Sequence, residues 1–273
     1  MTLEWHMRRS RVLEKLREGK TVFCTKMNLS DPRAYEIAAS SGFDCLWTCQ
    51  EHIGTDFQTL EAQIMAAKAY DCDLLCRVAK GGYSNFIRPL EMDASGIMVP
   101  HLMSLEEARE IVKETRFHPI GRRPLDGGNA DGNYCRIPLS EYLAAANHER
   151  FIILQIEDPE PLAELDAIAA IEGYDMLFFG PGDFSHAIGD PGNFTNPQLV
   201  AARRAIAQTA AAHGKFAGTV ASLDNYQMLI DEGYRFLNIG ADVLALGNCY
   251  RDIMQRLVGD QTIDHGSRAL YNT

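Results

Sequence analysis

Short runs of apolar, β-branched and aromatic residues recur along this chain. Between them lie longer stretches in which apolar positions return every three to four residues. The first pattern predicts strands and the second amphipathic helices. Strands are expected near 21–25, 43–48, 74–78, 96–99, 151–156, 176–179, 216–218 and 236–239, and helices near 32–41, 59–70, 84–92, 105–115, 161–171, 197–212, 223–232 and 243–256. Regular β/α alternation predicts a parallel sheet, and eight repeats of it favour closure into a (β/α)8 TIM barrel. The runner-up, an open doubly wound sheet, usually carries a glycine-rich turn after its first strand. Lys26-Met27-Asn28-Leu29-Ser30 has no glycine there.

Local signals mark several boundaries. Ser30-Asp31-Pro32 places a cap residue before a proline, and Ser104-Leu105-Glu106-Glu107 reads as a capping box. Gly173, Gly214 and Gly233 stand where helices should stop. An additional helix near 8–18 carries Val12, Leu13 and Leu16 on one face, and is expected either to plug the barrel bottom or to pack on a neighbour. The segment near 121–137 is rich in Gly, Asn and Asp and interrupts the alternation, with a short helix after it near 139–147. A loop of this length is functional or solvated, and its expected role is to close over the mouth of its own or a neighbouring subunit. No repeat, low-complexity tract or linker divides residues 1–273, so one barrel domain is expected, ending in a helix and tail from about 243 to 273.

Composition narrows the class. The chain has 273 residues, 46% hydrophobic and 23% charged, ordinary values for a globular protein. A formal net charge of −11 repels phosphate backbones, which excludes nucleic acid as the expected partner. Seven cysteines, an odd number with no Cys-x-x-Cys pair, are expected to be free thiols in a reducing cytoplasm rather than disulfides or zinc ligands. The stretch 1–11 lacks an apolar core, so no secretory signal is expected there, and no apolar run approaches membrane-spanning length.

In such barrels the chemistry gathers at the carboxyl ends of the strands. The fifth expected strand ends in Gln155-Ile156-Glu157-Asp158-Pro159 and the sixth in Gly180-Pro181-Gly182-Asp183. Glu157 and Asp183 thus leave neighbouring strands, and two carboxylates with open positions suit a hard divalent cation such as Mg²⁺ or Mn²⁺. The second strand ends in Glu51-His52. His52 is a candidate general base, and Glu51 either orients it or forms an ion pair elsewhere. Arg77 ends the third strand and points into the mouth or into a buried ion pair; in the mouth it would hold a carboxylate or an enolate oxygen. Gln155 shares the side of Glu157, and the amide of Gly182 faces the same space. Lys26 follows the first strand, the position from which a lysine comes nearest to serving as a Schiff-base residue.

Together these residues resemble the HpcH/HpaI aldolase family, the metal-dependent (class II) pyruvate aldolases, from about residue 11 to about 256. The most specific pieces are Gln155-Ile156-Glu157 and Gly180-Pro181-Gly182-Asp183-Phe184-Ser185, supported by Glu51-His52, Arg77, 96–100 and 236–242. The resemblance implies a lyase that cleaves or forms a 4-hydroxy-2-oxo acid, to or from pyruvate or a related 2-oxo acid and an aldehyde, through an enolate held at the metal. Glu157 and Asp183 would ligate the metal (Mg²⁺ or Mn²⁺, with Co²⁺ after them), His52 would be the acid/base, and Arg77 would stabilise the enolate. Gln155, Gly182 and Arg77 would bind substrate. It also implies a homo-oligomer, commonly a hexamer, for which the apolar stretch 243–258 would supply a contact or serve as an ordinary barrel helix. Two departures stand out. Cys49 and Gln50 replace an acidic residue and a glycine before Glu-His, and Glu91 falls where an aspartate supporting the histidine is common, although it precedes the fourth strand, away from the mouth. Related metal-enolate chemistry (oxaloacetate decarboxylation or acyl-CoA cleavage) and a non-catalytic barrel are the alternatives.

Overall fold

In the computed structural model, which describes residues 5–258, the expected strands close into one parallel barrel in sequence order. They are β1 (Val22–Lys26), β2 (Cys45–Cys49), β3 (Asp73–Arg77), β4 (Gly96–Val99), β5 (Phe151–Ile156), β6 (Met176–Phe179), β7 (Phe216–Ala221) and β8 (Phe236–Ala241). The ring is sealed where β1 pairs with β8, Val22 opposite Phe236 and Cys24 opposite Asn238.

Helices alternate with these strands: α1 (Arg11–Arg17), α2 (Pro32–Ser40), α3 (Phe57–Lys68), α4 (Tyr83–Glu91), α5 (Leu105–Thr115), α6 (Leu139–Glu149), α7 (Leu165–Ala169), α8 (Pro181–Ala187), α9 (Pro197–Ala212), α10 (Tyr226–Asp231) and α11 (Asp242–Val258). The expected caps are made: Asp31 accepts from the Arg33 amide at 2.9 Å, and Ser104 from the Glu107 amide at 3.2 Å. Beyond β5 the single expected helix is divided. A 3-10 turn, Glu160–Glu164, precedes α7, because Pro159 and Pro161 withhold the N–H groups that a regular first turn uses. Among the described residues no helix is long and apolar enough to cross a membrane.

Side chains alternate across each strand, so every second residue points inward. Cys24, Trp47, Leu75, Met98, Ile153, Met176, Phe178 and Phe236 form the packed interior, and Val12, Leu13 and Leu16 of α1 join the same cluster from below. The extra helix is therefore the plug, the first of its two expected roles. Asp73 fixes it, accepting from the Ser10 hydroxyl at 2.6 Å, the Val12 amide at 2.9 Å and Arg8 at 2.7 Å.

The segment 121–137 departs from expectation. Arg123 pairs with Glu91 at 2.6 Å, Asp131 pairs with Arg150 at 2.6 Å, and the Asp131 amide donates to Asp93 at 3.1 Å. Glu91, Asp93 and Arg150 all precede the first residues of β4 and β5. The loop thus lies at the amino-terminal end of the barrel and does not close over its own mouth. Glu91 goes with it. Its carboxylate serves Arg123 at the barrel floor rather than supporting His52, and burial, outweighing Arg123, raises its pKa.

Five cysteines (Cys24, Cys45, Cys49, Cys72 and Cys76) are buried free thiols, as expected; Cys135 and Cys249 are free and exposed.

Candidate metal and substrate site at the barrel mouth

One rung above the apolar interior, the inward positions turn polar. Lys26, Cys49 and Arg77 end β1, β2 and β3, while Gln155 and Glu157 stand at the end of β5. This is the rim on which barrel enzymes place their chemistry.

Glu157 is 1% exposed. Its Oε1 accepts from the His101 amide at 3.0 Å, and its Oε2 accepts from the Gln155 side-chain amide. Burial, reinforced by the charge of Asp183, pushes its carboxyl up to about 7 against the opposing pull of His101 and Arg77. The close packing around it depends on Gly180. A Cβ there would lie 2.6 Å from Glu157 Oε2 and 2.9 Å from Gln155 Nε2, inside van der Waals contact.

Glu51, His101 and Glu157 each offer one ligand atom, and these atoms all lie within 4.8 Å of one another. Asp183 stands exposed in the first turn of α8, where its charge acts on both Glu157 and Lys26. Gly182 precedes it, in a turn whose N–H groups have no partner within the helix. Among the described residues Glu157 thus gathers with Glu51 and His101, a group that does not include its expected partner Asp183. His101 was missed, although it follows Pro100 at the end of β4 just as Glu157 follows β5.

His101 is held firmly for a surface-facing imidazole. Its backbone adopts φ 50°, a left-handed conformation unusual for a residue with a side chain. Nδ1 sits 2.8 Å from Asp158 Oδ2, and Lys80 donates to its carbonyl. Partial burial lowers its pKa, but the bond to Asp158 and the charges of Glu157, Asp158 and Glu51 outweigh that and raise it overall.

Arg77 satisfies both of its expected alternatives. It is 4% exposed, its Nε is 3.0 Å from Glu51 Oε2, and its guanidinium lies 5.0 Å from the Trp47 ring centroid. Cys49 accepts from the same guanidinium at 3.3 Å. A thiol in place of a carboxylate therefore still contacts Arg77, while Glu51 supplies the negative charge. Glu51 binds Arg77 more tightly than it does His52, whose Nε2 is 3.6 Å away. The His52 side chain is 54% exposed at the rim, free to meet a substrate from solvent. Lys26 stands at the same level, its Nζ 5.5 Å from the Trp47 centroid.

Known proteins share this arrangement of chain and barrel. The hydroxypyruvate/pyruvate aldolase of Pseudomonas aeruginosa is 30% identical over 263 residues, covering 96% of this chain and 98% of that one. The 2-keto-3-deoxy-L-rhamnonate aldolase of Salmonella gallinarum is 31% identical over 233 residues, 85% of this chain and 86% of its own. The crystal structure of an HpcH/HpaI aldolase from Desulfitobacterium hafniense superposes with a TM-score of 0.84 at 26% identity, covering 89% of this chain and 95% of that one. The sequence profile of the HpcH/HpaI aldolase/citrate lyase family matches residues 26–248, from the last residue of β1 into α11 and across every mouth residue described above. On that match and on the closed eight-stranded barrel, the chain belongs to the HpcH/HpaI aldolase/citrate lyase family.

Proposed function

We propose that the barrel mouth is the active site of a divalent-metal-dependent aldolase, a lyase that cleaves or forms a 4-hydroxy-2-oxo acid, with pyruvate or a related 2-oxo acid and an aldehyde as the other side of the reaction. The observation that carries this reading is the buried Glu157 carboxylate, converging with Glu51 and His101 beside Arg77.

The donor set fits a divalent cation. Two carboxylates and an imidazole converge, and the Oε1 of Gln155 is buried there without a hydrogen-bond partner. Glu157 and Asp183 are the proposed ligands, with His101 and Glu51 beside them, and Mg²⁺ or Mn²⁺ is favoured over Co²⁺ by the oxygen-rich set. When bound, the cation supplies a Lewis acid for the oxo and carboxylate oxygens of the substrate.

The chain's own residues do the rest. His52 accepts the proton of the C4 hydroxyl in cleavage. The C3–C4 bond then breaks, its electron pair moves toward the C2 oxygen, and the aldehyde departs. Arg77, braced by Glu51 and the Trp47 ring, presents a fixed positive charge to the oxygen on which the enolate charge develops. Gln155 and the Gly182 amide orient the substrate, and C3 of the enolate finally takes up a proton, directly or through solvent, from the protonated His52, which gives the 2-oxo acid and restores the free base. In condensation the same steps run backwards, and His52 returns its proton.

Incubation of the protein with pyruvate or hydroxypyruvate and a panel of aldehydes, with and without chelator, tests the reading. Chelator-sensitive formation of a 4-hydroxy-2-oxo acid is expected. Chelator-insensitive turnover, or turnover of oxaloacetate or an acyl-CoA thioester alone, would refute it.

We further propose that the active form is a homo-oligomer located in the cytoplasm. Its buried free thiols suit a reducing compartment. α11 has no buried residue, and it exposes Leu246, Ile253 and Leu257 at 39%, 46% and 73%. A second copy is the occupant proposed for that face.

A further inference from the structure

We infer that the imidazole of His101 is itself a ligand of the cation, that Asp158 is its positioning residue, and that together they select Mn²⁺ over Mg²⁺. This rests on the metal-dependent reading above and deepens it. It gives the ion a nitrogen donor, and it chooses between the two ions favoured for the site.

The ring is presented as a ligand would be. His101 Nδ1 lies 2.8 Å from Asp158 Oδ2. An ionised carboxylate only accepts, so in the neutral ring Nδ1 carries the hydrogen and Nε2 the lone pair. Nε2 lies 3.6 Å from Glu157 Oε1 and 3.7 Å from Glu51 Oε1. These separations are too long for hydrogen bonds. They suit donors that share an ion, because two atoms each about 2.1 Å from one cation can stand up to roughly 4.2 Å apart. A ligating histidine characteristically donates its other ring nitrogen to a carboxylate, which orients the ring and strengthens it as a donor. Asp158 stands in that place.

The backbone points the same way. His101 keeps its φ of 50° because it is pinned at both ends. Its amide donates to Glu157 Oε1 at 3.0 Å, and its carbonyl accepts from Lys80, whose Nζ is anchored 2.8 Å from Glu107 Oε1. Gln155 adds an independent sign. It is 2% exposed, its Nε2 is committed to Glu157 Oε2, and its Oε1 has no partner. A buried carbonyl oxygen beside the same carboxylate is a group that a cation, or a water on it, satisfies. Selectivity follows from the donors. Mg²⁺ prefers oxygen and gives up its waters reluctantly, whereas an imidazole suits a transition ion. Of the two ions, Mn²⁺ therefore gains more from His101.

The test uses metal-stripped wild type, His101→Asn, Asp158→Ala and Asp158→Asn, each titrated with Mn²⁺ and with Mg²⁺ by calorimetry. Asparagine tolerates the left-handed backbone and keeps the amide that reaches Glu157, so His101→Asn removes the imidazole alone. Mn²⁺ affinity should fall roughly ten- to hundredfold in His101→Asn and about tenfold in Asp158→Ala, with Mg²⁺ affinity changed less than about threefold in either. Asp158→Asn, whose carbonyl oxygen still accepts from Nδ1, should recover most of the loss. An unchanged preference for Mn²⁺ in His101→Asn would overturn the inference. Equal losses for both ions in Asp158→Ala would overturn the positioning role of Asp158. A second arm reads the ligand in the wild-type protein. Pulsed electron paramagnetic resonance of the Mn²⁺-loaded protein should detect a directly bound nitrogen, and that coupling should vanish in His101→Asn. Bound Mn²⁺ without nitrogen coupling, or with coupling that persists in the variant, would overturn the inference and leave the metal-dependent reading standing. Failure of wild type to bind Mn²⁺ at all would overturn both.

Discussion

At the scale of single residues, the site depends on how closely Gly180 lets Glu157 and Gln155 approach. Gly180→Ala would put a Cβ 2.8 Å from the Cβ of Glu157 and closer still to its carboxylate. The side chain must then move. We expect metal affinity to fall by about tenfold or more and stability by roughly 1–3 kcal/mol, read by calorimetry and thermal unfolding. Unchanged affinity would mean that Glu157 is not a ligand. A second prediction follows from the carboxyl of Glu157 at about 7. This folded-state value lies above the ordinary carboxylate range, so below it the folded protein holds a proton that the unfolded chain has lost. In the metal-free protein this stabilises at low pH, and the benefit is lost as pH rises towards about 7. A cation must displace that proton. Its affinity should therefore climb with pH up to about 7 and level off above, with about one proton released per ion near pH 6 and almost none above pH 8. Titration in buffers of differing ionisation enthalpy counts those protons.

The same scale shows what sequence can and cannot carry. The rim positions of Arg77, Glu157 and His52 were legible because each ends or closely follows a strand, and a barrel sends strand ends to one rim. His101 ends a strand too, but its meaning lies in contacts with Glu157 and Asp158, 56 and 57 residues away, which local pattern does not encode.

At the scale of elements, hydrophobic period and caps located the strands and most helices, since each is written in residues close together in the chain. The segment 121–137 was legible as irregular but not in its direction. Its polar residues look alike whether they cover a mouth or a floor, and ion pairs with Glu91 and Arg150 decide for the floor. Asp131 and Arg150 are 4% and 2% exposed. Replacing Asp131 with alanine leaves a buried guanidinium unpaired and should cost roughly 3–5 kcal/mol in denaturant unfolding. A cost below about 1 kcal/mol would show the loop to be loosely attached.

At the scale of the whole molecule, eight alternations sufficed to read the closed barrel. Quaternary structure did not follow in the same way. The apolar face of α11 gives one and the same sequence pattern whether its own barrel or another copy covers it. Nothing in the described chain buries it. Acidic replacements at Leu246 and Ile253 should therefore shift the mass found by light scattering towards a smaller species, with the barrel still folded by circular dichroism. An unchanged mass would place the contact elsewhere.

The central claim is that the carboxylate of Glu157 binds a divalent cation at the mouth. Calorimetric titration of Mn²⁺ into metal-stripped wild type and Glu157→Gln tests it most directly. One binding event per chain is expected in wild type, weakened by roughly a hundredfold or more in the variant. Equal affinity in the two proteins would contradict the account.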